Sequence, residues 1–152
     1  MNPRLHKFAL TAHVTFSVGW LGAVVVYLVL AVAGLVTHDV SLARAAYLSM
    51  ELSGWFVIVP FSLAALLTGL VQSLATSWGL LRYYWILAKL LLTVMGIIVL
   101  LRHIPAVSQM AELAAETALS SGDFRALGIH LIVHAAGGLL ILVAVTILSV
   151  YK

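Results

Sequence analysis

The stretch Leu127 to Val150, LGIHLIVHAAGGLLILVAVTILSV, is apolar from end to end and exceeds the roughly 20 residues needed to cross a bilayer. Inside lipid every backbone polar group must find its partner within its own segment, so such a run is read as a helix. It carries His130 and His134, four residues apart, followed by Gly137 and Gly138. That spacing is about one helical turn and puts both imidazoles on one face, with Gly138 a further turn along it.

Three other apolar runs match it. The predicted spans are about 8–36, 51–74, 83–103 and 125–150. With 64% hydrophobic and 9% charged residues, against roughly 45–50% and 25% in soluble domains, the chain reads as a membrane protein. The first run follows the basic start MNPRLHKFAL and continues far beyond a signal-peptide core of roughly 7–15 residues, so it reads as a retained helix. Residues 37–50 read as a polar loop with a surface turn, and Pro60 predicts a kink in the second span. The link 75–82 is tight; Trp78, Tyr83, Tyr84 and Trp85 form an interfacial aromatic belt. Between the third and fourth spans, about 105–121, Val107, Met110, Leu113 and Ala114 recur at helical spacing while Gln109, Glu112 and Glu116 face elsewhere. Pro105 suits a first helical position, so this segment is expected to be a short amphipathic helix on the membrane surface. Gly122 is expected to stop it and Asp123 to cap the fourth span. The expected fold is an all-α, single-domain, up-down-up-down bundle of four transmembrane helices covering residues 1–152.

An even number of spans places both termini on one side. Arg4, Lys7, Arg82 and Lys152 fall there, against Arg44, Arg102 and Arg125 opposite, where all five acids also lie. The Lys/Arg bias points to cytoplasmic termini. A formal charge of +3 from so few charged residues is no nucleic-acid footprint.

Chemistry has few carriers. The chain has no cysteine, which excludes disulfides, thiolate metal sites and haem attached through CxxCH. No nucleophile–base–acid set, phosphate-cradling glycine loop or HExxH supports a hydrolase; a redox role stays open. The histidines remain: His6 and His13 on the cytoplasmic side, and His38, His103, His130 and His134 on the other. A histidine within a membrane usually faces the bundle interior with a partner. One reading is interhelical hydrogen bonding. Another is a b-type haem between two neutral imidazoles, with His103 and His134 as first axial pair and His130 as alternative; Gly96, Gly137 and Gly138 would give the macrocycle room. The same glycines also suit helix packing. Arg102 and Arg125 read first as interfacial cations beside lipid headgroups, with pairing to the haem propionates as the alternative. Copper is the rival cofactor, held by the same histidines with His13 as a further candidate ligand; Met50 and Met110 make a thin soft-ligand set. Lys89 would snorkel or bind an anion, and Trp20 and Trp55 read as packing residues.

His13 with Gly19-Trp20-Leu21-Gly22, Leu67-Thr68-Gly69-Leu70, Trp78-Gly79 and Trp85 with Ala88-Lys89-Leu90-Leu91 resemble the CopD-like group of small bacterial membrane proteins, and most closely its uncharacterised four-helix branch. The likeness covers the first three spans and, more loosely, HAAGGLL of the fourth. It implies a multi-pass bacterial inner-membrane protein, with copper handling or a cytochrome-like histidine core as the associated chemistry. This chain lacks methionine-rich loops. The functions to be weighed are therefore a small membrane cytochrome b in electron transfer, alone or as a subunit with a redox partner; a copper-handling protein; and a cofactor-free accessory subunit.

Overall fold

The structure is a computed structural model, and it describes residues 3–75, 84–116 and 122–151. The described residues are helical apart from short links. Helix α1 is Pro3–Val36, α2 Val40–Ser53, α3 Val59–Ala75, α4 Tyr84–Ala115 and α5 Gly122–Val150; a single π turn, Gly54–Ile58, joins α2 to α3. Four continuous stretches are therefore long and apolar enough to cross a membrane, and α2, the π turn and α3 together make the second. The expected link 75–82 with Trp78, Tyr83 of the belt, and residues 117–121 lie outside the described residues.

Three boundaries differ from the sequence expectation. Residues 40–50 are helix rather than loop, because Asp39 caps α2. Its Oδ1 accepts from the Ser41 and Leu42 amides at 2.8 and 3.3 Å, two donors that would otherwise be orphaned. Ala43, Ala46, Tyr47 and Met50 then fall on one buried stripe. Pro60 follows directly on the π turn, in which the Val59 amide reaches back to the Gly54 carbonyl. Proline has no amide to give the preceding turn and crowds its carbonyl, and the wider turn takes up that mismatch.

The second difference concerns 105–115. No separate surface helix begins at Pro105; α4 runs unbroken through it. A proline in a helix interior costs about 3 kcal/mol. Here Ile104, Val107, Met110, Ala111 and Ala114 are all buried, at roughly 1.5–3 kcal/mol for each large side chain, and Ser108 donates to Glu51 Oε1 at 2.6 Å. Packing against α2 outweighs the proline. Glu112 is exposed beside the fully buried Met110. In a chain without cysteine, Glu112→Cys should therefore label fast with a soluble maleimide and Met110→Cys slowly; equal rates would contradict the helix over 105–115. Asp123 lies within the first turn of α5 rather than before it, where its charge favours the helix N-terminus.

The core is uneven along the bundle. The largest fully buried side chains include Tyr47, Met50, Met110, Val107, Phe124 and Leu131. They meet at one end: the Tyr47 ring stands edge-on to Phe124 with centroids 5.9 Å apart, and it lies over Gly34. Along the rest of α4 and α5 many apolar side chains, among them Leu91, Ile98, Leu140 and Ile147, point outward. Only 6% of the most apolar window of α4, and 6% of that of α5, is buried, as suits helices surrounded by lipid. The four stretches contain 29–35 residues, roughly 44–52 Å at about 1.5 Å per residue, against a hydrocarbon core of about 30 Å. The end with an inward-facing apolar core is the part organised like a water-soluble helical bundle.

Candidate metal centre

Helix α4 brings His103, and α5 brings His130 and His134, into one cluster just below that end. The ring centroids of His103 and His134 are 4.0 Å apart, those of His130 and His134 4.1 Å, and those of His103 and His130 5.1 Å. One ligand nitrogen from each ring lies within 4.8 Å of the other two, close enough together to hold a metal ion. Three imidazoles around one ion, at 2.0–2.1 Å each, stand about 3.4–3.6 Å apart, so small side-chain rotations close the gap.

The tautomers suit ligation. His134 Nδ1 lies 2.8 Å from the His130 carbonyl. A carbonyl only accepts, so Nδ1 carries the proton and Nε2 keeps its lone pair. His103 Nε2 is buried and has no hydrogen-bond partner. Ligating histidines commonly give their second nitrogen to such a carbonyl, which sets ring orientation. A buried nitrogen with no partner costs about 1–3 kcal/mol and is the kind of exception that calls for an explanation.

The glycines fall into two groups. A Cβ at Gly34, Gly69 or Gly128 would come within 2.9 Å or less of Tyr47, His13 or Leu35 respectively; at Gly137 or Gly138 it would meet nothing within 4 Å, and at Gly96 only Trp20 at 4.0 Å. The three glycines expected beside the site are thus not the close-packing ones. Gly96 and Gly138 line an apolar cavity of about 60 Å³ together with His103, His134, Trp20 and Tyr27. Trp20, expected only to pack, is a wall of this space, and the signal available in the sequence was its helical spacing with Val24 and Tyr27.

Other candidates lie elsewhere. His13 is not in the cluster: its Nδ1 is 3.0 Å from the Ala65 carbonyl and 3.1 Å from Thr68 Oγ1, the interhelical hydrogen-bonding role. Lys89 Nζ donates to Ser149 Oγ at 3.3 Å. Arg102 and Arg125 are exposed, as are His6 and His38. Met50 and Met110 are fully buried in the core. Trp55 is half exposed and Trp20 almost wholly buried.

A haem between His103 and His134 is not accommodated as the side chains stand. A centroid separation of 4.0 Å is already contact between rings, and no macrocycle fits between them. The adjoining cavity is also small, since an apolar cavity of about 150 Å³ holds a single benzene. Three converging imidazoles fit a bare ion. Comparison with protein-family models, curated proteins and solved structures gave no significant match.

Proposed function

We propose that this is a multi-pass membrane protein that binds one transition-metal ion, copper foremost, through His103, His130 and His134. The observation that carries it is the convergence of three ligand nitrogens within 4.8 Å, with the buried, partnerless Nε2 of His103 among the available donors. Imidazole suits copper, zinc, iron and nickel, and copper stands highest in the affinity order. The resemblance to the CopD-like group points the same way. An up-down-up-down arrangement is supported by two antiparallel pairs: Gln72 bonds Ala9 while His13 bonds Ala65, and Lys89 meets Ser149 while His103 meets His134, so within each pair numbers rise on one helix as they fall on the other. The termini are cytoplasmic in a bacterial inner membrane, which puts the three histidines in the periplasmic half.

Purified protein in lipid nanodiscs should take up about one copper per chain, measured by elemental analysis after dialysis. A haem b between His103 and His134 is the second reading. It is favoured by one observation, that both line an apolar cavity with Gly96 and Gly138, and it requires the two rings to part. A Soret band that shifts on dithionite reduction would put haem in place of copper; neither haem nor metal would leave the accessory-subunit reading. Orientation has its own check. A His38→Cys variant should react with an impermeant maleimide added outside intact cells, and a reporter fused after Lys152 should be active only if it works in cytoplasm. The opposite pattern would turn the bundle over and move the metal site to the cytoplasmic half.

A further inference from the structure

Three protein ligands leave an ion with an unfilled position, as in catalytic three-histidine sites. What can occupy it depends on what that position faces. His103 and His134 form part of the wall of the apolar cavity, and its other lining includes Trp20, Ile58, Gly96 and Gly138. No lining side chain carries a charge that could accompany an anion, and an unpaired charge in such a space is strongly disfavoured. A water needs two to four polar partners to settle in a cavity, and among the lining side chains only the two imidazoles, the Tyr27 hydroxyl and the Trp20 indole are polar. The space, about 60 Å³, has room for a molecule of two or three atoms and not for a substrate of ordinary size. Its glycines keep it open: a Cβ at Gly138 meets nothing within 4 Å, so packing does not demand glycine there.

We infer that the open position on the ion faces this cavity and takes a small neutral ligand of the carbon monoxide or dioxygen kind, which reaches it through the bilayer. The inference rests on the three-histidine reading and adds the class of ligand. No chemical step is implied beyond reversible coordination.

Carbon monoxide is the probe. Copper(I)-loaded protein in nanodiscs, with copper per chain measured on the same sample, should give one sharp C–O stretching band in the infrared. Gly138→Leu should fill the cavity and weaken carbon monoxide binding at least tenfold while one copper per chain is retained. Gly137→Leu is the control: it sits on the same helix, also meets nothing within 4 Å, but does not line the cavity, and it should leave the band unchanged. Gly96→Val offers a second way to occlude the space if Gly138→Leu fails to fold. Copper without a carbon monoxide band in the unsubstituted protein overturns the inference and leaves the metal reading standing. So does a band that Gly138→Leu and Gly96→Val leave intact. Loss of copper from both variants also overturns it, because the cavity would then be part of the ion's own seat. Failure of the unsubstituted protein to bind copper overturns both readings together.

Discussion

His103→Leu is expected to abolish metal binding and, in the metal-free protein, to raise the thermal midpoint. The two effects have one origin. In the apo protein the buried Nε2 of His103 has no partner, at a cost of about 1–3 kcal/mol. Leucine fills similar space and removes that cost, for a gain of roughly 2–4 °C per kcal/mol in a chain of this size. The same substitution removes one of three ligands. Disturbing even an outer-shell partner of a ligand typically costs 10–100-fold in affinity, so loss of the ligand itself should exceed about 100-fold. His134→Ala should be equally damaging to metal binding, without the apo stabilisation, since the His134 ring is tied to the His130 carbonyl. His6→Ala and His13→Ala should leave metal binding unchanged. His13→Ala should instead loosen the contact of α1 with Ala65 and Thr68, a membrane hydrogen bond of about 0.6 kcal/mol. A His103→Leu protein that keeps its copper, or that melts below the apo parent, would mean that His103 serves structure.

The trade of stability for a ligand is legible in the sequence only in part. Four long apolar runs specify four helical stretches long and apolar enough to cross a membrane, because length and hydrophobicity decide that question locally. The pairing of His130 with His134 follows from a spacing of four, and their nearness to His103 from the succession of two helices with a short link. What spacing cannot convey is rotation about the helix axes, which turns all three rings toward one point instead of setting two of them on either side of a macrocycle. The start of α2 was hidden for a different reason. Thr37, His38 and Asp39 are polar and look like loop, yet Asp39 is the residue that begins the helix. At Pro105 the local rule pointed to a helix start, and tertiary packing of Val107 and Met110 overrode it. Gly96 and Gly138 could be proposed as room-makers from sequence, but only neighbouring atoms distinguish them from Gly34, whose role is close packing.

Gly34→Leu should be among the most destabilising single changes in the chain, and Gly22→Leu, at another glycine of the same helix, nearly silent. A Cβ on Gly34 would lie 2.9 Å from Cε2 and Cζ of Tyr47. That ring cannot retreat: Tyr47 is fully buried and stands edge-on against Phe124, itself 2% exposed. Overpacking of this kind costs about 1–3 kcal/mol for a few added methylenes, and sometimes more. A whole leucine side chain whose first carbon already clashes belongs at the upper end or beyond. Gly22 faces outward with nothing within 4 Å of its Cβ position, and leucine there only meets lipid. Because α1, α2 and α5 all meet around Tyr47, Gly34→Leu should also splay the end of the bundle above the histidines, weakening metal binding without touching a ligand. Combining it with Tyr47→Ala, which vacates the ring's place, should restore part of the stability, a coupling expected of residues in contact. Thermal melts of the four proteins in nanodiscs give the coupling directly. Strict additivity of Gly34→Leu and Tyr47→Ala would mean that the two residues do not touch, and that the core at this end is packed differently from the arrangement described.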